Sequence, residues 1–88
     1  MDEAGQIKEI INYITSQVIR RHGVEINEGS PLVSSGLIDS FALVDILVKV
    51  EDVTNMRIPA GKVQPKDMDT VNLMIETAKR VGKPRKAK

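Results

Sequence analysis

The clearest pattern in the chain is a helical stripe near the N-terminus. Ile7, Ile10, Ile11, Ile14 and Val18 recur at the spacing of one helix face and predict a helix over residues 3–21. Arg20, Arg21 and His22 fall in its last turn, where positive charge suits the helix dipole, and Gly23 supplies a C-terminal cap. Residues 23–38 then lose the period. Gly29, Ser30, Pro31, Ser34, Ser35 and Gly36 are turn formers, with Val24, Ile26, Leu32, Val33, Leu37 and Ile38 scattered among them. This predicts a long loop packed on the body, and such a loop inside a small domain is often functional.

A second helix is predicted from Asp39 or Ser40 to about Thr54. Its apolar positions are Phe41, Leu43, Val44, Ile46, Leu47, Val48, Val50 and Val53, more than one stripe requires. Such a helix is either buried on two sides or offers an apolar strip to a ligand or partner. A strand is the competing reading, but Asp45, Lys49, Glu51 and Asp52 break strict alternation. Asn55 to Ile58 reads as a turn, and Pro59 opens a short helical piece through Val63. Gln64 to Met68 is a second connection. Asp69 is predicted to cap a last helix over residues 70–81, with Val71, Met74, Ile75, Ala78 and Val81 on one face.

The expected fold is all-α: a small four-helix bundle of three main helices plus a short third helix, with the long loop between helices one and two. Residues 1–81 form the domain, and Gly82 and Pro84 end the last helix ahead of a basic, disordered tail over residues 82–88. The predicted core is Ile7, Ile10, Ile14, Val18, Leu32, Leu37, Ile46, Leu47, Val50, Ile58, Val71, Met74, Ile75 and Ala78.

Composition narrows the function classes. Eighty-eight residues allow one domain. The absence of cysteine excludes disulfides, thiolate metal sites and a cysteine nucleophile. The polar, acidic start does not read as a signal peptide, and no apolar run is long enough to span a bilayer, so a soluble cytoplasmic protein is expected, and a monomer is expected besides. The net charge of +1 hides a split. Residues 79–88 hold six of the 13 basic residues and no acid, which leaves seven against 12 acids, a formal −5, on residues 1–78. That is the wrong sign for a nucleic-acid reader, whose folded face carries the positive charge. Enzyme signals are poor. His22 is the only histidine, so a Ser-His-Asp set could be completed only through it. The glycines lack the P-loop lysine spacing, and Asp67 with Asp69 is too few for a calcium loop.

The informative segment is Gly36-Leu37-Ile38-Asp39-Ser40-Phe41. Taken alone, an Asp-Ser pair before an apolar run is an ordinary helix cap. In its setting it resembles the attachment motif of acyl carrier proteins, and the likeness runs from about Ile7 to Val81. It includes the first-helix stripe, the long loop, the Ile58-Pro59 pair and Asp69-Thr70-Val71. The wording Gly-Leu-Ile-Asp-Ser is similar to that of free-standing carriers of specialised pathways, aminoacyl and D-alanyl carriers among them. The resemblance implies a 4′-phosphopantetheine arm, transferred from coenzyme A onto the Ser40 hydroxyl by a phosphopantetheinyl transferase. It also implies that Asp39 assists that transfer, and that the arm's thiol holds an acyl or aminoacyl cargo for loading and acyl-transfer enzymes of lipid, fatty acid or specialised metabolite synthesis. The chain itself would not be an enzyme.

The resemblance also implies a partner-binding face on the second helix, with Asp45, Glu51 and Asp52 at positions the family usually makes acidic. Phe41, Leu43 and Val48 would add apolar contact. Ala42 lacks a carboxylate common there, and Lys49 adds a positive charge. Phe41 is also bulkier, and Leu43 more apolar, than the family usually has there, and these departures lead us to expect dedicated partner enzymes that read hydrophobic contact as well as charge. Neither nucleic acid nor a metal is expected. The rival reading is a helical protein–protein interaction module that is never modified.

Overall fold

A computed structural model describes residues 2–19 and 24–84. The chain is mostly helical, with three α-helices and little strand: α1 (Glu3–Tyr13), α2 (Ala42–Thr54) and α3 (Val71–Val81). A two-residue ladder pairs β1 (Met56–Arg57) with β2 (Lys83–Pro84), antiparallel.

Asp2 starts α1 by accepting the Gly5 N–H at 2.8 Å. The predicted 3–21 helix changes pitch on the way, since Ile14–Ile19 winds as a π-helix. Thr15 and Ser16 donate their hydroxyls back to carbonyls of Ile11 and Asn12, a competition with the backbone ladder that bends helices. Arg20, Arg21, His22 and Gly23, the predicted end and cap, lie outside the described residues.

Residues 24–41 form turns with no regular helix or strand. Helix α2 begins at Ala42, later than predicted, because Asp39, Ser40 and Phe41 form a turn ahead of it. It ends at Asn55, whose left-handed backbone (φ 56°) suits a residue that tolerates that region. Between α2 and α3 the chain makes two 3₁₀ turns, Ala60–Lys62 and Pro65–Met68. The first falls within the short helix predicted after Pro59. The second occupies the stretch predicted as a connection and is held by a capping box between Gln64 and Asp67.

Two local assignments change. Thr70, not Asp69, caps α3, accepting the Leu73 N–H at 3.0 Å. At the other end, residues 82–84 do not leave the body. Lys83 and Pro84 pair with Arg57 and Met56, and residues 85–88 lie outside the described set. Gly82 makes this join, for a Cβ there would overlap the Ala78 carbonyl oxygen. Gly82→Ala is therefore expected to destabilise the fold by about 1–3 kcal/mol, visible as a lowered Tm.

The core gathers one face of each helix. Ile10, Ile14, Ile46, Val50, Val71, Met74, Ile75 and Ala78 are buried, joined by Leu32, Ile38, Ile58 and Met68 from the connections. Ile7, Val18, Leu37 and Leu47, predicted as core, are half-buried around it, and Ile38 and Met68 were not predicted. Among the described residues the buried polar side chain is that of Thr77, with its hydroxyl donating to the Asp67 carbonyl at 3.2 Å.

Candidate functional site around Ser40

Ser40 is exposed in the turn that opens α2. Asp39 caps that turn, its Oδ1 accepting the Ala42 N–H at 3.0 Å. The Leu43 N–H donates to the Ser40 carbonyl at 3.3 Å, which closes the turn. The serine hydroxyl therefore stands at the positive end of α2, where a phosphate group is tolerated.

The segment leading to Ser40 is tied down from a distance. The Asp69 carboxylate receives three consecutive backbone N–H groups on Oδ1, from Leu32 (3.1 Å), Val33 (2.7 Å) and Ser34 (2.9 Å). The Ser34 hydroxyl donates to Oδ2 at 2.8 Å. The Leu32 N–H also reaches the Asp69 carbonyl at 2.7 Å. These donors hold the Asp69 pKa below the usual aspartate value, the Ser34 N–H contributing most and the Ser34 hydroxyl next, while burial pushes the other way. Beyond the clamp, the Ile38 N–H donates to the Leu32 carbonyl at 3.1 Å, and Gly36 turns the chain with φ +79°. No atom lies near the place a Gly36 Cβ would take, so only the backbone angle opposes substitution. Gly36→Ala should cost about 1 kcal/mol in urea unfolding.

Ser40 also lies on the rim of a groove of about 190 Å³. Leu43, Val44 and Leu47 of α2 form one wall, and Ala60, Val63 and Met68 of the following segment face them. No acidic or basic side chain lines it. Glu51 braces the second wall, with its Oε2 accepting the Ile58 N–H at 2.7 Å just ahead of Pro59 and Ala60.

The residues predicted to bind partners divide by face. Phe41 and Val48 stand out from the surface, 86% and 50% exposed, with Val44 between them at 66%. At i, i+3 and i+7 they form one apolar strip along α2. Val44 was not singled out from the sequence, where its spacing from Phe41 was the available signal. Asp45 and Asp52 are exposed beside this strip. Leu43 is half-buried and turned into the groove wall, and Glu51 is half-buried and engaged with Ile58. Lys49 points to α1, where it meets Glu9 at 3.4 Å and lies 5.7 Å from the centre of the Tyr13 ring. Its charge is thus drawn toward α1.

Among the described residues no helix is long and apolar enough to cross a membrane. Nor does any cluster of three or more His, Asp or Glu side chains there offer a metal site. Comparison with protein-family models, with curated proteins and with solved structures finds no match.

Proposed function

We propose that this chain is an acyl carrier, holding its cargo as a thioester on a phosphopantetheine arm attached to Ser40. The observation that carries the reading is the setting of Ser40: an exposed hydroxyl in the capped turn opening α2, on the rim of an uncharged apolar groove. The Asp39-Ser40 pair and the resemblance of its surroundings to carrier proteins supply the chemistry. On this reading the two 3₁₀ turns between α2 and α3 stand for the short third helix of a four-helix bundle. The long loop is the segment that Asp69 clamps.

Ser40 is then the substrate of a phosphopantetheinyl transferase. Its oxygen takes the phosphopantetheine phosphate from coenzyme A, the nucleotide leaves, and a phosphodiester remains. The start of α2 suits the new charge, because the helix dipole favours an anion there. Asp39 keeps the opening turn formed. The chain has no cysteine, so the arm would bring its only thiol. The carrier works in the cytoplasm as a monomer, meeting loading and transfer enzymes through the Phe41–Val44–Val48 strip and the acids beside it.

The test is a mass measurement after incubation with coenzyme A and a broad phosphopantetheinyl transferase. A gain of one phosphopantetheine that disappears in Ser40→Ala is expected. No gain, or a gain that survives Ser40→Ala, would overturn the proposal. The exposed strip would then favour the unmodified interaction module. A second prediction concerns docking. Asp45→Lys should slow acylation by the cognate loading enzyme several-fold at low salt, with the difference shrinking as salt rises. An unchanged rate would remove the electrostatic part of partner recognition.

A further inference from the structure

The β1–β2 ladder carries charge that the fold itself does not use. We propose that Arg57 and Lys83 form a docking site for neighbouring carboxylates on an acidic segment of a partner protein, at the opposite end of α2 from Ser40. The site does not depend on whether Ser40 is modified.

Three observations lead there. First, Arg57 and Lys83 are direct partners in the antiparallel register, and both are exposed. Residues directly opposite in such a ladder hold their Cβ atoms about 5 Å apart on one face, and like charges placed there destabilise the pairing. The ladder has two residue pairs, and one of them is this repulsive pair. Second, no acid in the fold answers the charge. Among the described residues Lys49, Lys79 and Arg80 each meet an acid, whereas Arg57 and Lys83 meet none. The Glu51 carboxylate comes as near as the next residue, but it is taken by the Ile58 N–H. Third, the placement is fixed. The Gly82 N–H donates to the Ala78 carbonyl at 2.9 Å, and its missing Cβ lets the chain pass closely there into β2. The two cations are thus held side by side behind the ends of α2 and α3.

The chemistry selects the partner. A guanidinium offers a two-pronged donor edge to one carboxylate, and the ammonium beside it takes a second. The positive spot is small and lies on an acidic body. Asp52 is exposed in the last turn of α2, just ahead of β1, and residues 1–78 carry a formal −5. A few carboxylates on a protein surface match a spot of that size. A lipid surface or a nucleic-acid duplex spreads its negative charge widely and sets it against those acids as well.

The experiment uses the full-length, unmodified chain and a dye-labelled octaglutamate peptide, with binding read by fluorescence anisotropy. The peptide should bind at low salt and release as salt rises. Arg57→Glu should weaken binding by about tenfold or more, the loss of one charge-assisted contact. The same variant sets opposite charges across the ladder, so its Tm should rise by a few degrees. Lys83→Glu should behave alike. Loss of binding together with a gain of stability separates a docking role from a structural one. No binding of the peptide, unchanged affinity in both variants, or a lowered Tm in both would overturn the proposal. Phosphatidylserine vesicles and a short DNA duplex serve as competing probes and should bind more weakly than the peptide. Tighter binding of either probe, lost in Arg57→Glu, would overturn the assignment to an acidic protein.

Discussion

Replacing Asp69 by alanine is expected to destabilise the fold by about 3 kcal/mol. The estimate follows from what the carboxylate receives: three backbone N–H groups and one hydroxyl, all from residues 32–34. Hydrogen bonds to a charged group contribute about 1.5–3 kcal/mol each in net terms, and donors stranded by truncation lose their partner outright. Part of that loss is recovered because the site is only half-buried and water can reach it. Asp69→Asn keeps one oxygen for the three N–H groups and loses the charge, so it should cost about 1 kcal/mol.

The two variants also separate charge from geometry through pH. Asp69 has a lowered pKa in the folded chain. Its contribution is therefore complete above the unfolded value of about 4 and fades as pH falls through the lower, folded value. The stability gap between wild type and Asp69→Asn should be constant from about pH 5 to pH 8 and should narrow below about pH 4. Urea unfolding at pH 7 and pH 3 measures it. A gap that stays equal at both pH values would show that the charge plays no part in the clamp.

The second large effect is expected on the hidden face of α2. Ile46 has no exposed surface and lies in the core shared with α1 and α3. Ile46→Ala removes three carbons and leaves a cavity, a change that typically costs 2–5 kcal/mol. A domain of this size has only about 5–10 kcal/mol in total, so the variant should unfold at least 10 °C below the wild type. Its neighbour Asp45, one residue earlier and exposed, should tolerate lysine within about 0.5 kcal/mol. The pair tests the division of α2 into a structural face and a presenting face. Similar losses of Tm at both positions would refute that division.

The helices were legible because their signals are local. The apolar period of α1, α2 and α3 lies within each segment, and the exposed strip of α2 could be foreseen as a surplus of apolar residues. What the sequence concealed depends on distant partners. Asp69 sits beside Thr70 at a helix start, and both are good caps. Only the arrival of residues 32–34 decides that Thr70 caps the helix while Asp69 clamps the loop. Glu51 looks like surface charge until Ile58 returns beside it. Lys49 looks like part of the same face until α1 brings Glu9 and Tyr13. Ile38 and Met68 lie in irregular stretches with no period to betray their burial. The β1–β2 ladder is too short to carry an alternation signal. For the site, Asp39, Ser40 and the turn they occupy could be read from the sequence, whereas the groove needs two segments brought together by folding.

That small ladder gives the molecule a built-in ruler. Ser40 stands just before the first turn of α2, and Met56–Arg57 follows its last turn. Thirteen helical residues span about 20 Å at 1.5 Å each. By pairing with β1, Lys83 and Pro84 sit at the far end of that span. An enzyme that grips Arg57 and Lys83 while working on Ser40 must reach across the full length of α2, past Val44 and Val48. A protein too small to bridge that distance can engage one end or the other, but not both at once.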